Sequence, residues 1–233
     1  MNKLWISLVA GLLVVSATPA GDNKKEVERV ENSGTVIKEI LDIPDDIPQS
    51  LLDKSECVVV LPSVLKAAFV VGGSYGRGVM TCRTGEKFNG PWGSPTMIAL
   101  EGGSVGLQIG GEATDFVLLL MSQRSAESVL STKVKLGADI SAAAGPKGRD
   151  ASAETDAAMR AEILSYSRAR GVFAGISLEG STLRPDNDAN AKLYGSAVPA
   201  KDIVLKGEMQ PPTCAQKLLG TLNRRSPKNI SGD

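Results

Sequence analysis

Histidine does not occur in this 233-residue chain. Its absence excludes Ser-His-Asp and Cys-His catalysis in their usual forms, and every zinc site that needs imidazole. Carboxylate, lysine or tyrosine chemistry stays open, but the acidic residues are scattered and suggest no glycosidase pair. Serines flanked by glycine are the accident of a glycine-rich chain. The expectation is a protein that is not an enzyme and needs no cofactor. The three cysteines have no CxxC spacing, which argues against a metal or redox motif. A charge surplus is also missing. With 26 basic and 26 acidic residues, nothing global attracts nucleic acid, and an anionic partner must be met by a local patch. Aromatics are scarce at 4%, while 25 glycines mark a chain full of turns and close backbone approaches.

What the N-terminus does contain is an address. Lys3 gives a short positive region, and Leu4 to Val15 is an apolar run of about a dozen residues, too short for a comfortable membrane span. Ser16 to Ala20 supplies small residues for cleavage, so residues 1–20 read as a signal peptide. A retained anchor helix is the alternative. The protein is expected to be exported, to the periplasm, the outer membrane or beyond. An oxidising compartment lets disulfides persist. Cys57 begins one apolar run and Cys82 ends the next, so neighbouring strands could join them. The alternative is two small buried residues. Cys214 would then be an odd thiol.

The periodicity gives a mixed fold. Asp22 to Leu41 is helical, interrupted at Ser33-Gly34 and ended by Pro44. A short second helix runs through Leu52. Val58 to Leu61 reads as a buried strand stopped by Pro62, and Gly76 to Arg83 as another, bent at Gly72-Gly73. Thr84 to Pro95 is a loop. Val105, Leu107 and Ile109 alternate as in a strand, Phe116 to Met121 is apolar enough to be buried on both faces, and Gln123 to Leu130 is a helix. Lys133 to Ala144 alternates most clearly of all. Ala161 to Ser167 and Val172 to Leu183 form a pair, and a helix follows from Asp186 to a stop at Gly195. The expected class is α+β, predominantly β: a curved antiparallel sheet or barrel-like sandwich with short helices at the N-terminus, between strands and at the C-terminus. The expected organisation is a signal peptide (1–20), an N-terminal helical segment (21–56), a β-rich core (57–195) and a C-terminal extension (196–233).

Several ordered blocks resemble the SYLF domain family. CVVVLPSVLKAAFVVGGSYGRGVMTCR opens at Cys57, GPWGSP follows at Gly90, and LEGGSVGLQIGGEATDFVLLLMS starts at Leu100. KLGADISAAAGPKGRDA begins at Lys135, and AEILSYSRARGVFAGISLEGSTLRPDNDANAKLYG at Ala161. The resemblance runs from about Ile37 to Gly195. It implies lipid binding, since eukaryotic relatives bind phosphoinositides, partly through a basic N-terminal stretch. Fungal members also bind or bundle actin, an activity not carried over to an exported bacterial protein. Here Lys24, Lys25 and Arg29 are offset by Asp22, Glu26, Glu28 and Glu31, so the basic arm is not available.

Candidate sites follow from single residues. Arg168 and Arg170 beside Tyr166, with Arg149 joining them if those strands pair, could grip a headgroup phosphate bidentately. Internal pairing with Asp150, Glu162 or Glu179 is the preferred alternative. Gly72 to Gly78 with Arg77 could form a phosphate nest, although a glycine-bent strand explains it better. Asp186, Asp188 and Asn190 have the spacing that opens a calcium loop but lack its glycine, and helix capping accounts for them. Trp92 is either a membrane-interface aromatic or a cover for the core. The tail could form a basic surface-lying helix, with Leu218, Leu219 and Leu222 on one side and Lys217, Arg224 and Arg225 on the other. Docking of the leucines onto the domain is the equal alternative. The expected partner is a lipid or membrane surface, or else another envelope protein, and not nucleic acid.

Overall fold

Val58, Val59, Val60 and Leu61 have no exposed surface, and successive strand side chains point to opposite faces. The strand carrying them must therefore be covered on both sides. The computed structural model describes residues 23–43, 47–68, 71–105, 110–146, 160–169, 172–176 and 178–231. That strand, β1 (Cys57–Ala68), lies in the middle of its sheet. It pairs on one side with β2 (Val71–Cys82) and on the other with β4 (Gly110–Leu120), while β3 (Thr96–Val105) pairs with β2. Five short strands extend the sheet: β5 (Val134–Lys135), β6 (Ala142–Ala144), β7 (Ile163–Ala169), β8 (Val172–Gly175) and β9 (Thr182–Pro185). The order is β5-β9-β3-β2-β1-β4-β7-β6, with β8 also on β7. Among the described strands only β6 runs parallel to its neighbour. The result is a curled half-barrel sheet in an α+β protein, as the periodicity implied.

Each face of the sheet carries its own core. Val58, Val60, Val79, Val117 and Leu119 meet the apolar stripes of α1 (Lys24–Leu41), α2 (Gln49–Lys54), α4 (Asn187–Tyr194) and α6 (Gln216–Arg225). Val59, Leu61, Met80, Phe116 and Leu118 meet α3 (Gln123–Ser131) and α5 (Ala200–Val204). Ser122 caps α3 by accepting from the Ser125 amide, and Asp186 caps α4 through Ala189. Gly195 ends α4 in the left-handed region at φ 71°.

Three local expectations differ from the structure. α1 runs unbroken through Ser33-Gly34, with the Ser33 hydroxyl donating to the Arg29 carbonyl at 2.8 Å. Gly34 marks a helix crossing instead: a Cβ there would stand 2.9 Å from the Leu218 amide nitrogen of α6. Pro62 does not stop β1. The pairing with β4 slips between Leu61 and Val64, Ser63 takes φ 51°, and the strand continues. A bulge tolerates the missing proline N–H. Lys133 to Ala144 is not one strand. Only its ends pair, and the chain turns at Gly137, whose φ is 83°. Val134, Leu136, Ile140 and Ala142 still enter the core, while Ala138 is exposed. Alternation here records which side chains are buried, not a continuous ladder. Phe69, Leu107, Ile109 and residues 1–20, where a signal peptide was expected, lie outside the described residues.

Candidate functional site

The bulge in β1 decides what reaches the surface. Beyond it Val64 points into the α3-side core, so Leu65 points to the α1 side. Leu65 pairs with Tyr75 of β2, and cross-strand partners share a face. α1 does not cover them: Leu65 is 61% and Tyr75 46% exposed. They are two of three large hydrophobic residues exposed among those described, with Val172. On the opposite face glycine is required for packing. A Cβ on Gly76 would come 2.4 Å from Val64, and one on Gly78 1.9 Å from the Val60 carbonyl oxygen.

The next row along the sheet is cationic. Arg77 of β2 pairs with Ala99 of β3, and Ala99 with Arg184 of β9, so small Ala99 separates two guanidinium groups on the α1 side. Arg77 lies 6.0 Å from the centre of the Tyr75 ring and contacts Asp186 at 3.1 Å. Arg184 donates to Glu101 at 2.8 Å, and Lys133 stands 3.3 Å from the same carboxylate. The Arg184 hydrogen bond holds the Glu101 carboxyl below its ordinary range. From above, α1 contributes Arg29 and Lys25 to a cleft of about 260 Å³, shared with Arg77, Glu28, Pro62 and Ser63. Burial first, and then the neighbouring Arg77 charge, push the Arg29 pKa down. An exposed apolar pair thus borders a band of positive charge.

The residues singled out by sequence fall elsewhere. Arg168 is committed internally: it donates to Asp115 at 2.8 Å and to Glu39 of α1, partners other than the three expected. Arg149 and Arg170 lie outside the described residues. Tyr166 is buried and stacked on Phe173 with ring centres 5.4 Å apart. Leu218, Leu219 and Leu222 are buried against α1, while Lys217 and Arg224 are exposed and Arg225 is half-buried. Lys217 donates to Thr35 at 3.0 Å, and Arg225 approaches Asp42 at 4.0 Å. This is the docked alternative for the tail. Trp92 is 3% exposed and donates from its indole to the Ser226 carbonyl at 3.0 Å, so it covers the core. Cys57 and Cys82 sit opposite each other in β1 and β2 and are joined by a disulfide; Cys214 is free and half-buried. Asp186 faces Arg77, while Asn190 accepts from the Met97 amide and donates to Thr96. Among the described residues no acidic or cysteine group could hold a metal ion. Gly72 to Gly76 satisfies a Gly-x-Ser-x-Gly spacing, but it lies within β2 rather than at a strand-to-helix elbow.

Leu65, Tyr75, Arg29 and Arg184 carried no sequence signal as a site. The usable clue was the departure from burial within an otherwise apolar hairpin, and it becomes readable only when the bulge fixes the register.

Comparison with known proteins places this arrangement. A family model described as "Ysc84: Las17-binding protein actin regulator" matches residues 101–225, from within β3 to the end of α6. The chain is 36% identical over 204 residues to the SH3 domain-containing protein PJ696.02 of Schizosaccharomyces pombe, covering 86% of this chain and 46% of that protein. It is 35% identical over 183 residues to LAS seventeen-binding protein 3 of Saccharomyces cerevisiae, covering 77% and 39%. With SH3 domain-containing YSC84-like protein 1 of Mus musculus it shares 35% identity over 182 residues, covering 77% and 52%. The chain thus spans about half the length, or less, of these relatives. The family description and the name of the Saccharomyces cerevisiae relative speak of binding and actin regulation, and none of these names is that of an enzyme. The chain belongs to the Ysc84/SYLF family.

Proposed function

We propose that this chain is a non-catalytic module that docks reversibly on a lipid or membrane surface, in an exported setting at the periplasm or outer membrane. The carrying observation is the exposed Leu65–Tyr75 pair bordered by Arg77, Arg184 and Arg29. Sinking side chains that are 61% and 46% exposed into an interface is worth about 1 kcal/mol each, and tyrosine favours the boundary between water and lipid. A cation near an anionic leaflet adds about 1 kcal/mol, reduced here because Asp186 and Glu101 sit beside the arginines. The total, on the order of 3 kcal/mol, supports peripheral attachment rather than permanent anchoring. Among the described residues no helix is long and apolar enough to cross a membrane. The exported setting draws support from the apolar N-terminal run and from the Cys57–Cys82 disulfide.

Co-sedimentation of the purified chain with anionic and zwitterionic vesicles, at two salt concentrations, tests this reading. Binding to anionic vesicles that fades with salt is the expected result. No binding to any composition would overturn it. A second reading, in which the same face binds another protein, is favoured by the name of the Saccharomyces cerevisiae relative. It predicts indifference to vesicles and a mass in solution that grows with concentration or with an added partner.

A further inference from the structure

We propose that the polar groove floored by Arg83 and Trp92 is a peptide-binding site, filled in the single molecule by the chain's own residues 226–231 and open to the same segment of a second copy when that segment lets go. The site shares no residue with the Leu65–Tyr75 face and stands apart from the membrane reading.

The groove displays a guanidinium, an indole N–H and two carboxylates, and one short segment answers all of them. The Ser226 carbonyl accepts from Arg83 Nη1 at 3.1 Å and from Trp92 Nε1 at 3.0 Å. The Ser226 hydroxyl accepts from Arg83 Nη2 and donates to Asp53, both at 2.5 Å. Asn229 donates to Glu56 at 2.7 Å and to the Phe88 carbonyl at 2.8 Å, and the Ser231 hydroxyl donates to the other Glu56 oxygen at 2.9 Å. The Ile230 amide donates to the Asp53 carbonyl at 3.1 Å. Main-chain bonds at 226 and 230 hold the backbone, while side-chain bonds at 226, 229 and 231 read the sequence, the division by which peptides are recognised. The ligand class is therefore an extended polar peptide carrying Ser-x-x-Asn-x-Ser.

The segment is held in a way that permits exchange. Residues 226–231 lie in no helix or strand, Pro227, Lys228 and Ser231 are exposed, and Ile230 is half-buried. Polar contacts with little apolar burial belong to the part of a structure that opens locally, since water replaces each bond at a small net loss. The opening stops at Ser226, because Leu218, Leu219 and Leu222 before it are buried against α1. Withdrawal leaves both terminal nitrogens of Arg83 and the indole without the acceptors just named, so the groove keeps its demand for a ligand of this chemistry. A second copy is the partner certain to carry the matching sequence. Exchange between two copies is reciprocal, each segment in the other's groove, which makes an isologous contact.

The test titrates a fluorescein-labelled peptide of residues 226–231, with blocked ends, onto the full chain and onto its Asn229→Ala/Ser231→Ala variant, read by anisotropy. A tethered segment competes at high effective concentration, so the free peptide gains the groove only to the extent that the tethered one leaves it. The variant loosens the tethered segment alone and should bind the unaltered peptide roughly tenfold or more tightly than wild type does. The same two substitutions placed in the peptide should weaken its binding by a like factor on either chain. That peptide comparison on wild type keeps the test decisive if the variant chain does not fold. Absence of saturable binding, or equal binding of the two peptides, overturns the site. Sedimentation equilibrium of wild type identifies the occupant. A mass that rises with concentration towards two chains, and returns to one with excess unaltered peptide, upholds the second copy. A mass that does not rise, or that the peptide does not reverse, overturns it. Vesicles enter neither measurement, so failure here leaves the membrane reading standing.

Discussion

Arg83 shows how much one side chain can organise when it is buried with its partners. It is 1% exposed, donates from Nε to the Ser55 carbonyl and from Nη1 to the Ser226 carbonyl, both at 3.1 Å, and lies 4.4 Å from the Trp92 ring centre. Burial pushes its pKa down, and Asp53 and Glu56 pull it back. Around it Ser226, Asn229 and Ser231 tie the C-terminal residues to Asp53 and Glu56. Replacing Arg83 by methionine leaves those acceptors without their donor and should cost about 1–3 kcal/mol, read as a lower urea midpoint; an unchanged midpoint would mean that these hydrogen bonds contribute nothing net. Glu56 adds a pH signature. Burial raises its pKa above the ordinary 4.5, against hydrogen bonds from Ser231 and Asn229. An acid whose folded pKa is raised binds its proton more tightly when folded, so stability falls as pH rises from about 4.5 through the folded value. Urea midpoints of wild type should therefore decline relative to Glu56→Gln across that window. Parallel profiles would contradict the assignment.

The helices and strands owe their placement to a few contacts that periodicity does not encode. Gly34→Ala is the clearest test. Alanine favours a helix interior over glycine by about 1 kcal/mol, but its Cβ would meet the Leu218 backbone nitrogen at 2.9 Å, and overpacking against backbone costs roughly 1–3 kcal/mol. The variant should be less stable despite its better propensity; a gain in midpoint would show that α1 and α6 part easily. The same contact explains a misreading, since a glycine that looked like a break in α1 is where α6 crosses it. Phe116 to Leu120 was legible because five consecutive buried residues leave no amphipathic alternative. Val134 to Ala142 misled because a turn at Gly137 can bury alternate side chains as well as a strand can. Pro62 misled because a bulge removes the need for its N–H.

Across the whole molecule, long-range pairing assembles both the stability and the site. The Cys57–Cys82 link spans 25 residues, and closing such a loop is worth about 3 kcal/mol in the chain-entropy account. Reduction should lower the urea midpoint by a corresponding amount, and an unchanged midpoint would show that β1–β2 pairing alone restrains the hairpin. Fold class was legible because hydrophobic periodicity is a local property. The candidate face was not, because Leu65, Tyr75, Arg77, Arg184 and Arg29 come from four separate elements. Their meeting depends on a one-step slip at Pro62-Ser63 and on β9 returning to the edge of β3. Arg168, beside Arg170 in sequence, proved less informative, since it is held by Asp115 and Glu39. The most direct test is anionic-vesicle co-sedimentation of the Leu65→Ser/Tyr75→Ser double variant beside a Lys217→Gln/Arg224→Gln control on α6. Loss of binding in the first with retention in the second is the predicted result. Undiminished binding by the Leu65/Tyr75 variant would contradict the proposed docking face.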